Sequence, residues 1–272
     1  MLVDVLALTA CLQPSSKRFY CHFVSLLALL PRRQEVIVVT TSTVDFFSLE
    51  LPDGGLLELA ADFSKVYRPT RYARRFVEIL SEQPLDRCNV LDVGCGSGII
   101  GIFAAMKGAT VTCCDLNQYA VECAVSNAAR LGLRVAGVVS DGLDEFAKRR
   151  DFDLVVCNPP SSPGQVSPEI TPRDNGELGR FLLDSVLAGA PRILAPNGRL
   201  LTCSNSEQDW STTEGTLAAN WAGYRIVADV DESFNGLAQF PPSQLDAWVR
   251  SGVCWLENGE VMHNVRYLFA YR

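Results

Sequence analysis

From about residue 66 onward, short apolar runs alternate with helix-like stretches. Runs rich in Val, Ile, Leu and Cys at 89–93, 110–115, 135–140, 154–157 and 199–204 predict strands. The stretches 72–82, 99–107, 120–131 and 178–190 predict helices. This alternation means βαβ units and a largely parallel sheet. The last third breaks the rhythm. It predicts a helix at 213–221, a strand at 224–230, an irregular stretch with Pro241-Pro242 and a final strand at 261–271. Two late strands without a crossover helix predict an antiparallel end to the sheet.

The first 65 residues have another texture. Residues 1–30 read as helical, broken at Gln13-Pro14 and stopped by Pro31-Arg32-Arg33. Residues 35–40 and 44–51 are β-rich, and Pro52-Asp53-Gly54-Gly55 is a turn signal before 56–60. The expected organisation is a small helical and β-hairpin module over 1–65, serving as a lid or substrate module, and an α/β domain over 66–272.

Composition narrows the function. The 272 residues carry 31 acidic and 24 basic side chains, a net charge of −7. That argues against binding by blanket phosphate neutralisation. Local cations remain at Arg71, Arg74 and Arg75 and at Lys148-Arg149-Arg150, where solvated helix faces are the simpler reading. Two histidines exclude a His-rich metal site, and no metal is expected. The ten cysteines include no C-x-x-C pair, and several sit in strand-like runs as small buried hydrophobes. They imply a reducing, cytoplasmic setting. The run 23–30 is too short to span a bilayer, so no membrane is expected.

The chemistry concentrates at 89–102, NVLDVGCGSGIIGI. A strand ends in Asp92, and Gly94, Gly96 and Gly98 turn the chain into a helix whose N-terminus presents free N–H groups. A dinucleotide fingerprint places its third glycine one residue later. Asp92 at the strand end would also face a pyrophosphate unfavourably.

The loop, Asp92-x-Gly94-Cys95-Gly96-Ser97-Gly98, resembles motif I of class I S-adenosylmethionine (SAM)-dependent methyltransferases. The resemblance continues in order through Cys114-Asp115-Leu116-Asn117, Ser140-Asp141-Gly142-Leu143 and Asn158-Pro159-Pro160, and covers roughly 66–272. It implies a Rossmann-like seven-stranded sheet, mostly parallel with the last strand antiparallel. It implies ribose binding at Asp115 with Leu116, adenine binding at Asp141 with Leu143, and acceptor orientation by Asn158 and Pro159. Asp92 would lie near the methionine amine or merely brace the loop. Acidic strand ends suit a sulfonium cofactor and repel a phosphate.

The N-P-P motif is similar to that of enzymes methylating a planar nitrogen, in nucleobases or a glutamine amide. There the Asn oxygen and the next carbonyl orient the target –NH₂, so catalysis is mostly positioning. Val66-Tyr67-Arg68-Pro69-Thr70 resembles the V-Y-x-P segment of protein-glutamine methyltransferases, implying that Tyr67, Pro69 and Thr70 flank the methionine end. Asn175-Gly176-Glu177-Leu178-Gly179 resembles their glycine-rich turn. One departure stands out: Ser161 follows N-P-P where the subgroup carries a stacking aromatic. Either Tyr67, Tyr72 or Phe181 stacks instead, or the nucleophile is not planar.

The leading expectation is a SAM-dependent methyltransferase acting on nitrogen of a small molecule or protein side chain, with Asn158, Pro159 and Ser161 at the reacting centre. The first alternative is a SAM-consuming cyclase forming azetidine-2-carboxylate and methylthioadenosine. The second is an RNA base N-methyltransferase, although nucleic acid is disfavoured. A non-enzymatic partner arm in the first 65 residues and a homodimer stay open. Ser204 and Asn205 are weaker wall candidates. His22 and His263 are poor bases on this reading, because neither falls at a predicted strand C-terminus.

Overall fold

The computed structural model describes residues 44–164, 169–170, 173–234 and 240–272. The helices expected over 1–30 and the strand at 35–40 lie outside the described residues, as does His22. The described chain opens with an antiparallel hairpin of β1 (Asp45–Glu50) and β2 (Leu56–Ala61), in which Phe47 faces Leu59. The 52–55 turn closes when Leu51 N–H donates to the Gly55 carbonyl.

The α/β alternation follows as α1 (Arg71–Ser81), β3 (Asn89–Val93), α2 (Ile99–Met106), β4 (Thr110–Asp115), α3 (Gln118–Arg130), β5 (Ala136–Val139), β6 (Phe152–Cys157), α4 (Phe181–Gly189) and β7 (Leu194–Asn205). The chain then runs through α5 (Trp210–Asn220), β8 (Gly223–Ser233), α6 (Pro242–Ser251), β9 (Trp255–Glu257) and β10 (Glu260–Tyr271). The sheet order is β5-β4-β3-β6-β7-β10-β8. The pairings from β5 to β7 are parallel, and β10 runs antiparallel to both β7 and β8. The short β9 pairs with β10. This is the Rossmann-like sheet that the sequence predicts.

Strand periodicity divides the core in two. Val90, Val111, Leu154, Val156, Leu201, Cys203, Val265 and Tyr267 pack one face, against α1, α2 and α3. Leu91, Val93, Cys114, Val155, Cys157, Leu200 and Leu268 pack the other, against α4 and α5. The hairpin joins the first core through Leu49, Leu51, Leu57 and Leu59, each at most 4% exposed. Each buried leucine contributes about 1.5–3 kcal/mol.

Three expectations need correction. Pro241-Pro242 does not mark an irregular stretch: Pro242 opens α6. A proline at the first helical position has its φ preset and loses no intrahelical bond there. Strand β7 starts at Leu194 rather than 199, with a register shift opposite Phe152 and Leu154. Helix α4 starts at Phe181, because Phe181 N–H bonds back to the Asn175 carbonyl in the preceding turn. Among the described residues the eight cysteines are free thiols, no helix is long and apolar enough to cross a membrane, and no cluster suits a metal ion.

Candidate functional site

The C-terminal ends of β3, β4, β5 and β6 lie side by side, so the four motifs share one edge of the sheet. Open α/β sheets bind ligands there. At β3, Gly94 and Cys95 N–H both donate to the Cys114 carbonyl, at 2.9 and 3.0 Å. The glycine loop is thereby stitched to the end of β4. Gly98 meets a double requirement. Its φ is +89°, and a Cβ there would lie 2.7 Å from the Ala124 Cβ. Asn127 on α3 fixes the loop from outside. Its Nδ2 donates to the Ser97 carbonyl, and its Oδ1 accepts from Ala60 N–H of the hairpin.

Asp92 is buried, and its Oδ2 accepts from Gly101 N–H in α2 at 2.8 Å. This is the bracing role. Burial pushes its carboxyl up to about 7, opposed by the Gly101 bond and reinforced by Asp115. Asp115 is half-buried. Its Oδ2 accepts from Gly96 N–H at 3.0 Å and its Oδ1 from Asn117 N–H at 2.9 Å. Burial raises its pKa, while these backbone donors lower it. Carboxylate oxygens accept more than one bond each, a chemistry suited to hydroxyl donors. Leu116 beside it is half-buried.

At the end of β5, Leu143 is buried in the second core with Leu183 and Leu187. Asp141 is partly exposed, and its Oδ2 pairs with Arg173. The Arg173 guanidinium also lies 4.4 Å over the Phe181 ring. Arg173 is a finding the sequence did not signal, since its partner is 32 residues away.

Asn158 and Pro159 follow β6 at the same edge, with Pro159 buried and Asn158 half-buried. The Cys203 thiol on β7 approaches Asn158 Oδ1 at 3.8 Å. Thr202 Oγ donates to the Cys157 carbonyl at 2.9 Å and fixes the strand just before the motif. Ser161 packs its backbone against Gly179. The turn 175–179 is held by Asn175 Nδ2 on the Ser162 carbonyl and by Gln208 Nε2 on the Gly179 carbonyl.

The segment before α1 reaches this edge too. Val66 lies beside Gly96, with Cγ2 3.8 Å from where a Cβ would stand. Asn117 Nδ2 donates to the Lys65 carbonyl at 2.7 Å and to the Glu169 and Ile170 carbonyls at 3.3 Å. One buried amide thus ties both the approach to α1 and the loop after N-P-P to the end of β4. Tyr67 and Thr70 are exposed, and Pro69 is half-buried.

Two expectations change. Ser204 and Asn205 do not line a wall. Ser204 Oγ is buried on Thr213, and Asn205 forms a capping box with Gln208 at turn 206–208. His263 does reach the ligand edge. It lies near the start of β10, and because β10 is antiparallel its start meets the C-terminal end of β7. Its ring sits between Glu207 and Tyr72. The sequence could have placed it only if the direction of β10 had been used to locate its first residues.

The residues fit a SAM-type ligand on two observations. Ser97 Oγ in the glycine loop is buried without a hydrogen-bond partner among the described residues, which leaves a polar group for a ligand. The strand ends offer carboxylates but no cationic cradle for a pyrophosphate. Arg173, the cation beside Asp141, is paired with it.

Comparison with known proteins places the fold in a family. Residues 71–232, more than half the chain, match the family model "Methyltransferase small domain". A release factor glutamine methyltransferase of Bordetella pertussis is 33% identical over 154 residues, covering 51% of this chain and 54% of that protein. A namesake from Koribacter versatilis is 44% identical over 165 residues, covering 53% and 55%. A ribosomal protein L11 methyltransferase of Dechloromonas aromatica is 38% identical over 122 residues, covering 43% and 39%. The chain thus spans about half the length of the curated relatives it matches. Among solved structures, a Thermus thermophilus 16S rRNA N2 G1207 methyltransferase, in complex with AdoMet and guanosine, shares the fold with a TM-score of 0.58. It is 18% identical and covers 88% of this chain and 53% of that one. The chain belongs to the methyltransferase small-domain family.

Proposed function

We propose that this chain transfers a methyl group from SAM to a planar nitrogen, and that the acceptor is the side-chain amide of a glutaminyl residue in a protein. The observation carrying this reading is Asn158. It follows β6 beside the glycine loop, and among the described residues its Oδ1 has only a thiol contact at 3.8 Å. That carbonyl oxygen is therefore open to an acceptor N–H. Pro159 lacks an N–H and fixes its own φ, which holds the backbone of the motif in one shape. Two curated relatives are named as glutamine methyltransferases of release factors, which supports a glutaminyl acceptor.

Asp115 would accept the ribose hydroxyls, with Leu116 alongside. Asp141 would take the adenine amine through the oxygen that Arg173 leaves. Gly94, Gly96 and Gly98 would line the methionine portion, with Tyr67, Pro69 and Thr70 across it. When bound, SAM supplies an electrophilic methyl carbon on a sulfonium. Asn158 then aims the nitrogen lone pair at that carbon, and orientation supplies most of the catalysis. Ser161 cannot stack on the acceptor. Arg173 covers one face of Phe181 and His263 holds the Tyr72 hydroxyl, so in this reading the hydrogen bonds of Asn158 carry the orientation.

The basic patches favour a protein acceptor over RNA. Arg71 pairs with Glu232, Arg75 with Glu78 and Arg149 with Asp151. We further propose that the cofactor domain starts near residue 66, with the preceding hairpin as its brace. The test is incubation with methyl-labelled SAM and glutaminyl peptides. Label in the peptide amide is expected. Rapid methylthioadenosine from SAM alone, without an acceptor, would overturn the reading.

A further inference from the structure

One buried polar chain lies against the site and has no part in cofactor binding. Glu207, in the turn after β7, contacts His263 Nδ1 at 3.0 Å, and His263 Nε2 lies 2.9 Å from the Tyr72 hydroxyl. Asn205 Nδ2 donates to Glu207 Oε1 at 3.0 Å and fixes the carboxylate. A carboxylate only accepts, so Nδ1 carries the hydrogen. With the ring carrying that one hydrogen, Nε2 offers its lone pair to the Tyr72 O–H, the state the relay needs at rest. Glu207 is 3% exposed and His263 0%, whereas Tyr72 is only half-buried. Tyr72 is therefore the least buried of the three.

Tyr72 faces Cys203, whose thiol lies 3.8 Å from Asn158 Oδ1. Tyr72 sits in the first turn of α1, just after the segment that passes Gly96. It packs against the core that holds Cys95 of the glycine loop and Cys203, the thiol touching Asn158. A buried carboxylate–imidazole pair is no gain for packing alone, since apolar groups of similar volume commonly serve a core as well or better.

We propose that Tyr72, His263 and Glu207 form a proton relay that collects the proton released by the methylated acceptor nitrogen. The inference rests on the N-methylation reading above. Methyl transfer leaves the nitrogen with one proton too many. The N–H bond breaks as Tyr72 oxygen takes that proton, and the phenol's own proton passes to His263 Nε2. The relay then holds an imidazolium against the Glu207 carboxylate. When product leaves, the same steps run backwards and the proton exits through Tyr72 to water. No redox partner is required. The Phe234 ring, 4.1 Å from the imidazole at 31°, offers its face to the imidazolium.

The charged surroundings fit this direction of flow. Tyr72 faces Glu207, Glu232, Arg71 and Cys203, and burial with the two carboxylates holds its phenol well above the usual tyrosine range. It therefore keeps a proton at rest. Arg71 is committed to Glu232 and the Ser233 carbonyl. Glu232 lies opposite His263 across the β8–β10 ladder, and the Cys254 thiol lies near Glu207. Burial and Glu207 push the Cys203 thiol up, so it stays neutral.

Two measurements test the relay. The first compares wild type with Tyr72→Phe for methyl transfer from SAM to a glutaminyl peptide, across pH and in D₂O, with SAM affinity followed by calorimetry. The expected result is a kcat lower by about 100-fold or more, with the solvent isotope effect lost and SAM affinity unchanged. A variant matching wild type in kcat and pH profile would overturn the relay and leave the methyltransferase reading intact. A wild type that binds no SAM would overturn that reading itself. The second needs no acceptor. Nitrogen-15 NMR of His263, in a His22→Gln background, is expected to show a neutral ring protonated at Nδ1 at pH 7. An imidazolium at rest, or the opposite tautomer, would overturn the relay, because its acceptor position would already be filled.

Discussion

The β3–β6 half of the sheet and the β7–β10 half hold polar groups at the same edge, but by different means. In the first, each candidate residue sits at the end of its own strand, within a few residues of a glycine, an asparagine or a proline that shapes the local turn. Asp115 and Gly96 meet through one backbone bond between neighbouring strand ends. In the second, Glu207, His263 and Tyr72 come from a turn, an antiparallel strand and a helix, separated by 56 and 191 positions. Short motifs encode the first arrangement, and only strand direction creates the second.

That contrast is sharpest at Asn158, where the two halves touch through Cys203. Asn158→Ala removes the acceptor carbonyl from the edge. Methyl transfer to a glutaminyl peptide is expected to fall about 100-fold or more, because orientation is the catalysis. SAM affinity should change little, and near-normal turnover would detach N-P-P from the chemistry.

The scaffold of the first half is tested next. Leu57→Ala opens a cavity where the hairpin joins the first core. Chemical denaturation should show a loss of about 2–5 kcal/mol. A loss near zero would mean that the hairpin is not part of that core. Gly98→Ala is expected to cost about 1–3 kcal/mol, since the new methyl meets Ala124 in a left-handed backbone.

Asp92 is tested through pH rather than through a fixed loss. Its folded pKa is raised from 3.8 to about 7, so between those values the folded protein holds a proton that the unfolded chain has released. Stability therefore falls as pH rises through that window. Asp92→Asn should flatten the fall, seen as a smaller drop in Tm between pH 4 and pH 7. A cationic ligand near Asp92 favours its carboxylate, so SAM should bind more tightly as pH rises through about 7. An unchanged Tm profile in the variant would assign the slope to another group.

Much of the β3–β6 half was legible because the determinants are local. Strand 89–93 has the boundaries the apolar run predicts, and the four motifs fall at one edge because parallel strands all end there. What escaped depends on distant partners. Arg173 is an ordinary loop cation until it meets Asp141. His263 lies near the beginning of its strand, and strand beginnings in a parallel sheet lie away from the ligand edge. Reversing β10 moves it into the site. Pro241-Pro242 looked like a breaker because the residues that make α6 amphipathic come only after it.

The central claim is that the β3–β6 edge binds SAM as methyl donor. Calorimetric titration of SAM into wild type and Asp115→Ala tests it most directly. Saturable one-to-one binding in wild type, weakened about 10- to 100-fold in the variant by loss of charge-assisted hydrogen bonds, is the predicted result. No binding to wild type, or equal binding to both, would contradict it.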